Sequence, residues 1–143
     1  MKLNIFLTGL LVWSTGMICL SQSTPVNNTK YKIVFQLASG DTMVHRSTTL
    51  QIYNALAEAP NSEIELVCHN AGISILQISK TVSSKEIMDL KAKGVVFAAC
   101  ANTIRMRKID PADIVPEAIT VPAGVIEIAD KQLKGWAYLK AGN

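Results

Sequence analysis

The chain lacks most of the features that mark a cofactor or a polyanion site. Its first strand-to-helix turn reads Ala38-Ser39-Gly40-Asp41. It has neither the glycine fingerprint that admits a dinucleotide pyrophosphate nor the lysine-bearing loop that cradles a nucleoside triphosphate. There is no Gly-x-Ser-x-Gly elbow, so the usual signature of a serine hydrolase is missing. No cofactor is expected. Aromatic residues make up 6% and the net charge is only +3. No basic run is interleaved with aromatics, and the densest positive spot is Arg105, Arg107 and Lys108. These features exclude a nucleic-acid surface. There are 3 cysteines, whose spacing matches neither paired zinc ligands nor haem attachment. A metal site from Cys68, His69 and Cys100 has no ligand spacing to support it. Repeats, low-complexity tracts and internal linkers are absent, and 143 residues allow one domain.

What is there begins with a leader. Lys2 and the chain amine form a positive end, Ile5 to Trp13 is mainly apolar, and small and polar residues follow to Leu20-Ser21-Gln22-Ser23. This is the three-part export pattern, with residues 1–22 read as a signal peptide and cleavage near Ser23. An uncleaved anchor is the competing reading. The apolar stretch is interrupted by Thr8, Gly9, Ser14, Thr15 and Gly16, whereas a span needs about 20 mainly apolar residues. Cys19 suggests lipidation, but Ile18 before it is too large for that processing site. Cleavage removes Lys2 and no carboxylate, lowering the net charge by one from +3. The expected location is the periplasm or another exported compartment, with no membrane span left after cleavage.

Residues 23–30 are polar, contain Pro25 and read as a flexible start. Residues 31–143 form the domain. Tyr31 to Leu37 predicts a strand, Asp41 a helix cap, and Met43 to Ala59 a helix with Leu50, Tyr53 and Ala57 inward, widened by Ile52 and Leu56. His45 falls on the outer side. Glu63 to His69 is a second strand, with Glu63 and Glu65 toward solvent. Gly72 marks a turn, and Ile73 to Ile78 is ambiguous. Ser83 and Glu86 have capping-box spacing at the head of a helix to Lys93, and Gly94 stops it. Val95 to Cys100 is apolar throughout, as in a strand buried on both faces at the centre of a parallel sheet. Asn102 or Thr103 caps a short helix to Lys108. Ala118 to Val121 is a fourth strand. Pro122 opens a helix whose inner face is Ile126, Ala129 and Leu133, and Trp136 to Leu139 ends the chain as a strand. Strand–helix alternation predicts a three-layer α/β/α sandwich with a mainly parallel sheet of about five strands.

In such sheets ligands bind beyond the carboxyl ends of the strands. Those ends carry Ser39, Gly40 and Asp41, then Cys68, His69 and Asn70, then Cys100, Asn102 and Thr103, then Pro122, Ala123 and Gly124. Cys100 is the strongest candidate. It ends a buried strand just before a helix start, where free N–H groups favour thiolate, and Arg105 and Arg107 add to this if they turn toward it. Against this stands a purely structural cysteine, since free cysteine is commonly buried. Strand alternation sends Cys68 and His69 to opposite faces. His69 is a candidate proton acceptor. A Cys68–Cys100 disulfide stays open at this level, subject to a Cα separation within about 7 Å.

Several segments together resemble the DsrE/DsrF-like family, in an exported branch. They are Ser39-Gly40-Asp41 after the first strand, Asn54, the run Glu65 to Ile73, the run Gly94 to Thr103, and Val121 to Val125 leading to Gly135-Trp136-Ala137-Tyr138. The resemblance covers about Tyr31 to the C-terminus. It implies a compact α/β sandwich that assembles as a homo-oligomer, trimer or hexamer. It further implies a persulfide-carrying cysteine at the end of the third strand, the position of Cys100, and a sulfur donor or acceptor protein as partner. In that reading His69, Asn70, Asn102, Thr103, Ser39 and Gly40 support or line the site. The alternative is a non-catalytic module that binds a small ligand or assembles into an oligomer, with Cys100 structural.

Overall fold

The computed structural model describes residues 27–142. The expected signal peptide and cleavage site lie outside these, as do residues 23–26 of the expected flexible start. Five strands follow in chain order: β1 (Lys32–Leu37), β2 (Glu63–Cys68), β3 (Val96–Cys100), β4 (Ala118–Val121) and β5 (Ala137–Lys140). They form one sheet in the order β4-β3-β2-β1-β5, and every pairing is parallel. Four helices connect them: α1 (Thr42–Glu58), α2 (Ser84–Ala92), α3 (Ala101–Met106) and α4 (Gly124–Leu133). The ambiguous segment after β2 is a 3-10 helix, Asn70–Leu76.

This order explains where the helices lie. From β1 through β2 and β3 to β4 the chain moves steadily across the sheet. Right-handed crossovers put the connections on one face, where α1 packs against both the 3-10 segment and α2. The last connection must return from the β4 edge to the β5 edge. Its helix, α4, therefore crosses the opposite face, against β1, β2 and β3. The two faces have separate cores. Phe35, Leu37, Leu66, Cys68, Phe97 and Ala99 fill the first with Ile52, Ile87 and Leu90. Val34, Val67, Ala98, Val121 and Ile128 fill the second, smaller one. β3 is an interior strand, as its apolar run predicts, although the middle of the sheet is β2.

Local signals succeed where their partners are local. Asp41 caps α1 and accepts from the Met43 amide at 2.8 Å. Five expectations fail for tertiary reasons. The buried face of α1 is His45, Thr48, Thr49 and Ile52, while Leu50 is exposed. The threonine hydroxyls bond to the Val44 and Arg46 carbonyls at 2.7 and 2.9 Å, so the side chains pack through their methyls. His45 is buried rather than superficial, with Nε2 2.9 Å from the Ser39 carbonyl where the chain leaves β1. Ser83 precedes α2 without a side-chain capping bond, and its hydroxyl is buried without a partner. Cys100, not Asn102 or Thr103, occupies the N-cap position of α3, without a side-chain capping bond. Finally, α4 turns Gly124 and Ile128 inward and leaves Ile126, Ala129 and Leu133 exposed, because its N-terminus is drawn down onto the ends of β2 and β3.

Gly72 holds the first and second strand ends together. Its amide donates to the Ala38 carbonyl at 2.9 Å, and a Cβ there would stand 2.3 Å from the Leu37 carbonyl oxygen. Backbone cannot yield as a side chain does. Gly72→Ala is expected to destabilise the protein by about 3 kcal/mol, measured by urea denaturation, and an unchanged midpoint would refute this close approach.

Candidate functional site

The carboxyl ends of β2 and β3 and the start of α4 meet at Cys100. Alternation along β3 points Cys100 to the α4 face and Ala99 to the other. In β2 it points Val67 and His69 to the α4 face and Cys68 away, into the larger core. Cys68 is paired in register with Ala99. Both thiols are free, and they project from opposite faces of the sheet, which removes the disulfide. Burial pushes the Cys68 thiol far up, so it is chemically silent.

Cys100 behaves in the opposite way. Burial alone pushes its thiol up, but hydrogen-bond donors around the sulfur outweigh this and hold it below the usual thiol range. They are the Thr103 hydroxyl and the amides of Gly124, Thr103 and Asn102. The Gly124 amide donates to Sγ at 3.2 Å. Gly124 is the first residue of α4, and Thr103 lies in the first turn of α3. The start of α4 thus aims a free N–H group at the sulfur, with the start of α3 beside it, and charge-assisted donors favour thiolate. The Asn102 amide also donates to the Pro122 carbonyl at 3.3 Å, so it contributes least. The Thr103 oxygen accepts from the Asn70 amide at 3.0 Å, which leaves the hydroxyl proton for the sulfur.

Gly124 makes this approach feasible. A Cβ there would lie 3.2 Å from Val67 Cγ1, 3.3 Å from His69 Cβ and 3.4 Å from Cys100 Cβ. Any side chain pushes α4 off the strand ends and lengthens the bond to sulfur. The same numbers put His69 and Cys100 side by side. His69 Nε2 lies 2.7 Å from Gln36 Nε2, and the Gln36 carbonyl oxygen accepts from the Tyr138 hydroxyl. Burial holds the imidazole below its ordinary range.

The other expected site residues divide. Asn70, in a left-handed conformation with φ 51°, is tied to Thr103 through its amide and to Arg107 through its side chain, at 2.7 Å. Asn102 uses its side chain to accept from Arg105 at 2.5 Å. Arg105 and Arg107 therefore hold neighbouring side chains and do not bond the thiol. Ser39 serves the turn: its hydroxyl accepts from the Asp41 amide at 3.2 Å, and its carbonyl meets His45. Gly40 packs against Ala71 and lines a cavity of about 270 Å³ with Lys80 and Arg107, apart from the sulfur. The sequence places Gly124 at a strand end without showing its role, and it does not mark Gln36 or Tyr138 as site residues. A glutamine inside the apolar run of β1 was the available signal for Gln36.

A buried charge pair lies further along the same face. Glu65, expected toward solvent, is 1% exposed, because α4 covers that face of β2. It pairs with Lys131 Nζ at 2.5 Å. Its other oxygen, Oε1, has no partner. Burial, partly opposed by the Lys131 hydrogen bond, raises its carboxyl above the ordinary value. Lys131 also lies 4.3 Å over the Trp136 ring.

Among solved structures, the chain is similar to a protein of unknown function from Methanobacterium thermoautotrophicum. Identity is 29%, with 78% of this chain and 99% of that one covered, and the TM-score is 0.74. No curated protein matches significantly. The model of the DsrE/DsrF-like family matches residues 30–141, a span that includes all five strands and every group around Cys100. This chain belongs to the DsrE/DsrF-like family.

Proposed function

We propose that this protein is a thiol-dependent sulfur carrier acting outside the cytoplasm, with Cys100 as the loaded group. The observation that carries this reading is the Gly124 amide donating to the Cys100 sulfur at 3.2 Å at the strand ends, with Thr103 acting in the same direction. That arrangement stabilises an anionic sulfur, which both a nucleophilic thiolate and a bound persulfide require. In the loading step the Cys100 thiolate attacks the outer sulfur of a sulfane donor such as thiosulfate. A new S–S bond forms, the donor S–S bond breaks, and sulfite leaves with the electron pair. In delivery, an acceptor thiolate attacks the outer sulfur of the persulfide and Cys100 departs as thiolate.

Intact mass spectrometry tests this on protein recovered from the extracytoplasmic fraction and incubated with thiosulfate or polysulfide. The wild type should gain one sulfur atom on Cys100, and Cys100→Ser none. No gain on the wild type, or an equal gain on the variant, would sink the reading. The same spectrum reports the start of the mature chain, expected near Ser23.

Assembly into a homo-oligomer accompanies this proposal. Val125, Ile126 and Leu133 are 60%, 59% and 87% exposed on α4, an apolar stripe of a kind that marks interaction sites. Leu133→Glu should yield a monomer by light scattering where the wild type is a trimer or hexamer. An unchanged mass would remove α4 as the contact.

A further inference from the structure

The hydrogen bonds around His69 carry more information than its proximity to Cys100. The Gln36 amide bridges two groups. Its Oε1 can only accept, and it faces the Tyr138 hydroxyl. Its Nε2 can only donate, and it faces His69 Nε2 at 2.7 Å. An amide N–H aimed at an imidazole nitrogen needs a lone pair there. A proton on Nε2 would set N–H against N–H. The single proton of the neutral ring is then on Nδ1, the nitrogen nearer the backbone.

We infer that Gln36 is a positioning residue that holds His69 as the neutral Nδ1–H tautomer, so that the lone pair of the ring is engaged by the Gln36 amide and the imidazole is not the base that takes the Cys100 thiol proton. The chain of contacts spans three strands: Tyr138 on β5, Gln36 on β1 and His69 at the end of β2. It replaces the role of proton acceptor that the sequence suggests for His69. Activation of Cys100 then falls to Thr103, Gly124 and the Asn102 amide, and the thiol proton leaves to solvent. The titratable groups that β3 and β5 bring to this face are Cys100, Tyr138 and Lys140, the last being the register partner of Gln36. At Gly124, α4 adds only backbone. Burial of the ring acts in the same direction as the lock, since it disfavours imidazolium.

This inference deepens the sulfur-carrier reading and rests on it only for the use made of the imidazole. The tautomer is read on unloaded protein, so its outcome is independent of sulfur uptake. The experiment is long-range 1H–15N correlation NMR of the His69 ring on the full mature chain across pH 4–9. The wild type should show a neutral ring protonated at Nδ1 at pH 7 and a titration midpoint below that of free imidazole. Gln36→Glu presents a carboxylate, which can only accept. It should move the proton to Nε2 and raise the midpoint by about one unit or more. A wild-type ring protonated at Nε2 overturns the inference without need of any variant. So does a Gln36→Glu spectrum with tautomer and midpoint unmoved.

Discussion

Gly124→Val will slow alkylation of Cys100 by iodoacetamide at neutral pH about a hundredfold, and Gly124→Ala about tenfold. A hydrogen bond to a charged group is worth roughly 1.5–3 kcal/mol, and each 1.36 kcal/mol is about one unit of pKa. Below its pKa a thiol's reactive fraction falls tenfold per unit, so losing the Gly124 donor costs one to two decades of rate. The would-be Cβ contacts of 3.2–3.4 Å with Val67, His69 and Cys100 let alanine fit with a small displacement, whereas valine must lift the start of α4. The pH–rate profile fixes the direction. In the wild type, the hydrogen bonds outweigh burial and place the midpoint below the usual thiol value of 9.0. In both variants the midpoint should move up. Stopped alkylation with mass detection checks this, and Cys68 serves as an internal control that stays unlabelled in folded protein. Rates within a factor of two of wild type for Gly124→Val would show that the α4 amide does not activate the thiol.

Lys131→Met is expected to destabilise the protein by about 3 kcal/mol or more, because it strands the Glu65 carboxylate under α4 without a countercharge. The double variant Glu65→Leu/Lys131→Met should recover most of that loss, since a packed apolar pair of similar volume is often neutral or stabilising. The cost should depend on pH in an unusual sense for a carboxylate. Burial raises the Glu65 value above its ordinary 4.5, so the native state binds the proton more tightly than the unfolded chain. This group's contribution to stability therefore falls as pH rises from 4.5 through the raised native value. Removing Lys131 takes away the hydrogen bond that opposes the shift and carries that window upward. The deficit of Lys131→Met should be larger at pH 7 than at pH 4, by urea denaturation at both. An equal deficit would mean that lost packing on Trp136 dominates.

Much of the architecture was legible in the chain. The strands come from short β-favouring apolar runs, and their alternation with helices dictates a parallel sheet. The signal peptide expected at residues 1–22 lies outside the described residues. Cys100 was identifiable as the candidate thiol because a run apolar on both faces, Val95 to Ala99, ends in a cysteine just before a helix start. The environment of that thiol was not. The faces of α4 and α1 were assigned from helical spacing, which locates an apolar stripe but not the side on which the sheet will be. Exposed Leu133 and buried His45 are the result.

What the sequence determined by itself is therefore local: where each strand and helix runs, the Asp41 cap, and the placement of Cys100 at a strand end. Only the tertiary structure decided that the Gly124 amide would reach Cys100 across 24 residues, that Gln36 would meet His69 across 33, and that Tyr138 would meet Gln36 across 102. Those contacts depend on the return crossover, which lays α4 over the second face and makes β5 the neighbour of β1. Periodicity reports neighbours within a turn or a pleat. The order of strands, set by the balance of packing over the whole sheet, brings Gly124 to the Cys100 sulfur and joins Tyr138, Gln36 and His69 in one chain of contacts.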